Sequence, residues 1–430
     1  MRIAIVAQQG SPLTPASDPH ADAQASAVTS LAQTLARQGH RITVYARRDA
    51  RDLPDSAILA RGVTVEHLTA GPQARLAGEQ LVTHVRKFSD QLAKRWSQKR
   101  PDIAHAHSWT SGLAALAAAR GTGVRVVQSF GSLAAAERRH GLASGGDGMR
   151  LRLEACIAKN ADAVLASTTA EVAELVRMGI PRGSITVVPP SVDTSRFHPD
   201  GAAAERGERP RLLAVAPLHT DQRLDRLVRV LAALPDTELV IAGGPAKSQL
   251  RTDKVYKGLM RLARELRVQR RLTFTGRVRP ADLPALLRSA DLLISAAPYE
   301  PAGAITIAAM ACGTPAAVSA VGGNRDAILD ETTGLLVAPG RPDLLARRVR
   351  RLLAAPLRLE AFGIAAADRA AARYCTERIG REAAAAYERC LSPATQSTGA
   401  AAVTLPAQRR PDPDDALPAS ADPELVAALA

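Results

Sequence analysis

Aromatic side chains are scarce in this sequence: two Trp, five Phe and five Tyr in 430 residues. Its core must therefore be filled by Ala, Leu, Val and Ile. Cysteine is sparse too. Cys156, Cys312, Cys375 and Cys390 are scattered with no C-x-x-C pair, which argues against a disulfide frame or a structural zinc and fits a reducing cytoplasm. No run of about 18 apolar residues occurs, so no membrane span is expected. The opening "MRIAIVAQQG" carries one Arg and a short apolar run, and reads as a first strand and not a signal peptide. Negative charge is in deficit, leaving a formal net charge of +14. That excess suits nucleic acid, an anionic membrane surface, anionic substrates or simply an Arg-rich solvated surface. RNP-type aromatics, zinc-finger spacing and Gly/Arg-rich tracts are all missing, so no nucleic-acid partner is expected.

What is present is an alternation of strands and helices. The length is too great for one compact core and predicts two domains. "RIAIVAQ" is a continuous apolar run, as in a strand buried on both faces. A polar loop follows, then "AQASAVTSLAQTLARQGH" at helical spacing, closed by Gly39. "RITVYAR" is the next strand, so the chain opens as a right-handed βαβ unit of a parallel, doubly wound sheet. "GVTVEHL", "DIAHAH", "VRVVQSF" and "AVLAS" continue the series, and "GAAAERGERPR" reads as an inter-domain linker. A second cycle begins at "RLLAVAP" and runs through "ELVIAGG", "RLTFTGR" and "DLLISAA". The expected organisation is an N-terminal α/β domain over 1–200, a second over 210–375, a C-terminal helix over 376–391 and a disordered tail over 392–430. A cleft between the two domains is the expected ligand site.

The stretch "YEPAGAITIAAMACGTPAAVSAVGGNRDAILDETTGLLV" resembles the donor-site signature of family 4 glycosyltransferases. "GHRITVYARRD", "PDIAHAHSW", "ITVVPPSVDTSRF" and "LVIAGGP" support the resemblance, which covers about residues 1 to 390. It is nearest in flavour to the actinobacterial inositol-phosphate N-acetylglucosaminyltransferases. The resemblance implies the GT-B fold, with two Rossmann-like domains facing a cleft, the first on the acceptor side and the second on the nucleotide-sugar side. It also implies transfer from a nucleotide-diphosphate sugar with retention of configuration, and no required metal or other cofactor.

The family's site residues then fall on named positions. Glu300 matches the carboxylate that binds donor-sugar hydroxyls, with the amides of Gly303, Ala304 and Ile305 behind it at a helix start; the plainer reading is a Glu capping that helix. The second carboxylate, which binds ribose in relatives, is replaced by Ala308. Losing such a charge-assisted hydrogen bond costs about 1.5 to 3 kcal/mol. The diphosphate-clamping Arg and Lys fall at Pro217 and Gln222, with Arg223 as a neighbouring substitute, His219 as a weaker one, and Arg277 as a further donor-side cation. The catalytic His falls at Gly131, which brings no proton-handling group. A Gly-Gly pair is replaced by Asp22 and Ala23, next to Asp18 and His20. On the acceptor side His105, His107 and Trp109 either line the cleft or pack at a strand end, and Arg138, Arg139 and His140 either meet an anionic acceptor or form a surface turn.

Residues 81–100 carry Leu81, Val85, Phe88, Leu92 and Trp96 at helical spacing beside six Arg and Lys. Such a helix either lies peripherally on an anionic membrane or packs its stripe on the sheet. Two functional readings stay open. One is a divergent transferase using a nucleotide sugar and an unknown acceptor. The other is a catalytically silent homologue that binds a ligand or a protein partner.

Overall fold

The computed structural model describes residues 1–13, 19–76, 78–142 and 147–392, with the side chains of 19–23 and 147 left aside. The expected tail therefore lies outside the described residues except for Ser392.

Among the described residues fourteen strands form two sheets. In the first, β1 (Arg2–Ala7), β2 (Arg41–Arg47), β3 (Ser56–Ala60), β4 (Val63–Leu68), β5 (Ile103–His107), β6 (Arg125–Ser129), β7 (Ala163–Ala166) and β8 (Ile185–Val187) lie in the order β3-β4-β2-β1-β5-β6-β7-β8. The second contains β9 (Arg211–Val215), β10 (Glu238–Ala242), β11 (Leu272–Gly276), β12 (Leu292–Ser295), β13 (Ala316–Ser319) and β14 (Gly334–Val337), ordered β11-β10-β9-β12-β13-β14. Among these pairings only β3 with β4 is antiparallel. These are two Rossmann-like, doubly wound domains. Helices cover both faces, which is why strands such as β1 are buried almost throughout. Strand order reverses beside β1 in one sheet and beside β9 in the other, and ligands of open α/β sheets bind at the carboxyl ends of strands near such points.

The edge strand β3 has no counterpart in the sequence reading. Each of its residues is exposed or half-exposed, and Ile58 is 82% exposed. The helix Val85–Gln98 packs Val85, Phe88, Leu92 and Trp96 into the first domain's core. Its apolar stripe is consequently unavailable to a membrane, although Arg86, Lys87, Lys94 and Lys99 remain exposed. Among the described residues no helix is long and apolar enough to cross a membrane.

After the second domain the chain returns to the first. The helix Thr376–Leu391 sets Ala383, Ala386 and Tyr387 into the core over β1, β2 and β5. Its entry strand lies against the outgoing one: Val192 N–H donates to Tyr374 O at 2.8 Å, and Thr376 N–H donates to Val192 O at 3.1 Å.

Candidate functional site

The loop from Ala296 to Gly303 leaves the carboxyl end of β12 and opens onto the helix Ala304–Ala311. Its shape is set by backbone packing against backbone. Gly322 sits at φ 43° and a Cβ there would collide with the carbonyl of Glu300; one on Gly323 would collide with Ala302. Gly323 N–H donates to Glu300 O at 2.9 Å. Beneath, Thr306 Oγ1 donates to Asn324 Oδ1 at 2.8 Å, joining the helix Ala304–Ala311 to the helix Gly322–Ala327.

Glu300 turns back on its own loop. Its Oε1 accepts the N–H of Gly303, the left-handed cap of the helix, at 3.0 Å. Burial raises its carboxyl pKa, and the amides of Gly303 and Ala302 act against that shift. Glu300, Ile305 and Thr306 line a cavity with Gln222, Ser295 and Asn324. No Lys or Arg lines it. Ala308 is 8% exposed and packed in an apolar cluster.

Arg223 does not reach the amides of Gly303 to Ile305. It occupies a left-handed cap (φ 50°, ψ 40°), and its guanidinium lies on Asp225, with Nε 3.1 Å from Oδ1 and Nη2 3.4 Å from Oδ2. His219 similarly faces Asp221, at 2.9 Å. Arg277 follows β11 at the far edge of the sheet, where its N–H donates to Pro245 O, and it does not line the cavity. The cation that sequence reasoning missed is Arg226. Its Nη1 donates to Ala296 O at 3.4 Å, on the loop leading to Glu300. Burial and the nearby Arg223 lower its pKa.

A second cavity, about 380 Å³ including its open mouth, lies between the domains. Gly131, His140 and Glu171 line it from the first domain, and Tyr299, Pro301 and Gly322 from the second. Gly131 has φ 76° and open space where a side chain would project. His140 stacks on Tyr299, with centroids 5.0 Å apart and rings inclined at 22°. Asp326 reaches across to accept Thr169 N–H at 2.7 Å and the Thr169 hydroxyl at 2.6 Å. Glu171 caps the same helix, its Oε2 accepting Ser167 N–H at 2.7 Å. Burial raises its pKa to about 7.

The acceptor-side residues separate. His105 is 2% exposed, with Nδ1 2.7 Å from Tyr387 Oη and Nε2 2.9 Å from Ser129 Oγ, so it is packed and does not line the cleft. His107 lies against it, ring centroids 4.1 Å apart; its Nε2 is buried without a partner, and burial lowers its pKa to about 4. Trp109 is buried in an apolar cluster that Tyr299 abuts. Arg138 is exposed and does not line the cleft, whereas Arg139 pairs with Glu174 at 2.8 Å. Asp18 lies outside the described residues, as do the side chains of His20, Asp22 and Ala23. Among the described residues no cluster of His, Cys, Asp and Glu could hold a metal.

Comparison with known proteins gives this geometry a family. Residues 24–196 match the model of Glycosyltransferase Family 4, and residues 200–369 that of Glycosyl transferases group 1. The chain belongs to the group 1 glycosyltransferases. A D-inositol 3-phosphate glycosyltransferase from Actinosynnema mirum is 31% identical over 379 residues, covering 83% of this chain and 89% of the relative. A second, from Catenulispora acidiphila, is 33% identical over 391 residues, covering 86% and 91%. Among solved structures, sucrose-phosphate synthase from Thermosynechococcus elongatus superposes with a TM-score of 0.82 at 26% identity, covering 90% of this chain and 98% of that one. Anabaena HepE, solved in complex with UDP-glucose, superposes with a TM-score of 0.69 at 16% identity, covering 90% of this chain and 100% of that one. This group 1 glycosyltransferase has the GT-B fold, and the Glu300 loop stands at the cleft-facing end of its second sheet.

Proposed function

We propose that this chain transfers a glycosyl group from a nucleotide-diphosphate sugar to an acceptor, with retention, in the cleft between its domains. The observation that carries the reading is the Glu300–Gly303 loop, locked on Gly322 and Gly323 and opening onto a helix. In this role Glu300 binds donor-sugar hydroxyls. The amides of Gly303, Ala304 and Ile305 receive the negative charge that gathers on the departing diphosphate. Arg226, which donates to Ala296 O on this loop, takes the clamping role that Pro217 and Gln222 cannot fill. Tyr299 and His140 form the wall facing the acceptor. Gly131 supplies no proton-handling side chain there, so any proton passes to the leaving phosphate or to water.

Calorimetric titration with UDP, GDP and their common sugar conjugates tests this. Micromolar binding of one nucleotide sugar, weakened ten- to a hundredfold by Glu300→Ala, is the expected result. Weakening by Arg226→Gln would assign the clamp. A second reading, a silent homologue that binds a ligand or a protein, has one observation in its favour: Arg223 is held by Asp225 and no cation lines the Glu300 cavity. No binding up to millimolar concentrations would support it, and a pull-down would then follow.

A further inference from the structure

The first domain's wall of the inter-domain cavity carries Glu171 and Glu174, while Glu137 accepts the Ser132 hydroxyl and Glu154 the Ala134 N–H of the loop beside them. Three arginines answer them, and each is committed. Arg150 places Nη1 2.8 Å from Glu137 Oε2 and Nε 2.7 Å from Glu154 Oε1, and its Nη2 donates to Ser132 O at 3.0 Å. Arg139 and Arg177 both close on Glu174 Oε1, at 2.8 and 2.7 Å. Glu171 is left over. It is 9% exposed, it lines the cavity, and its Oε1 is buried without a hydrogen-bond partner. The cavity is lined by no Lys or Arg.

We infer that this cavity takes an uncharged or amine-bearing polyol as acceptor and disfavours a phosphorylated one. The inference rests on the transferase reading only in calling the ligand an acceptor. When ionised, as it is above pH 7, the unpaired Glu171 carboxylate attracts hydroxyl and ammonium donors and repels a phosphate dianion. The remaining polar groups on the wall are the Ser132 and Tyr299 hydroxyls, 3.5 Å apart, the Thr168 hydroxyl and the His140 ring. The D-inositol 3-phosphate in the names of the similar proteins carries the charge that this wall rejects. The surface is basic elsewhere, so the net charge of +14 says nothing of the cavity.

The test is calorimetry on the full chain with two pairs of probes: myo-inositol against D-inositol 3-phosphate, and glucosamine against glucosamine 6-phosphate. In each pair the phosphate-free member is expected to bind at least about tenfold more tightly. Glu171→Gln keeps the hydrogen bond to Ser167, and should weaken glucosamine about tenfold without lowering the melting temperature. Glu137→Gln loosens the hold on Arg150 and should raise affinity for both phosphates. Tighter binding of either phosphate by the unaltered protein, or no difference within both pairs, overturns the inference. UDP and GDP titrated into the same samples separate the two ideas. A protein that prefers glucosamine yet binds no nucleotide keeps this inference and loses the transferase reading, while one that binds UDP and prefers the phosphates does the reverse.

Discussion

The two rims of the cleft are built differently. On the second domain's side, shape is made by main chain: Gly303, Gly322 and Gly323 let two loops touch where any Cβ would collide. On the first domain's side, shape is made by side chains: Arg150 spans Glu137 and Glu154, and Glu174 is shared by Arg139 and Arg177. A main-chain cradle survives when the functional side chains around it change, because the glycines are required by packing. A side-chain rim has no such protection, and each substitution alters its charge directly.

Breaking the cradle should have the largest effect. Gly322→Ala is expected to cost about 3 kcal/mol or more in urea unfolding, since strain and collision add. Gly131→Ala, also at positive φ but in open space, should cost only about 1 to 2 kcal/mol; equal costs would mean that main-chain contact is not what holds the loop. In the first domain's core, Tyr387→Phe leaves His105 Nδ1 unpartnered and should lower stability by about 1 to 3 kcal/mol in the same assay. Next comes a repair. Gln222→Lys restores a cation to the Glu300 cavity and should raise affinity for UDP about tenfold by calorimetry, whereas no gain would show the cradle to be closed to phosphate. The smallest effect concerns pH. Burial raises the folded-state pKa of Glu171 to about 7, above the 4.5 of an ordinary Glu. Its contribution to stability is full below the lower value and is lost as pH rises through the upper one. His107, lowered to about 4, behaves oppositely, its contribution present above 6.5 and lost as pH falls through 4. The difference in melting temperature between Glu171→Gln and the parent should therefore grow from pH 5 to pH 8, and a flat difference would count against the assignment to Glu171.

Much of the fold was legible because buried parallel strands leave continuous apolar runs, as in "RIAIVA" and "LVIA". The strand β3 was not, since Ser56–Ala60 has no buried face to set a pattern. Within the site, the Glu300 loop and the two glycines after "SAV" could be read from their motif. The direction of Arg223 could not, because it depends on a left-handed backbone that places Asp225 within reach. Nor could the Arg150 network or the His140–Tyr299 stack. These join residues 13 and 159 positions apart (137 to 150 and 140 to 299), and no local period records such meetings.

The return of the helix Thr376–Leu391 to the first domain means that this protein has no single place where it can be cut in two. A fragment ending near residue 200 would contain all of the first sheet and yet lack Ala383, Ala386 and Tyr387 from its core, with His105 robbed of its hydroxyl partner. The folding unit that begins the chain is completed only when its last described helix has been made. The tether between the halves is a pair of crossings that touch in a parallel bridge at Val192 and Cys375. Any change in the angle between the halves must bend both at one line, and a fragment experiment on this protein has to supply residues 376–391 in trans.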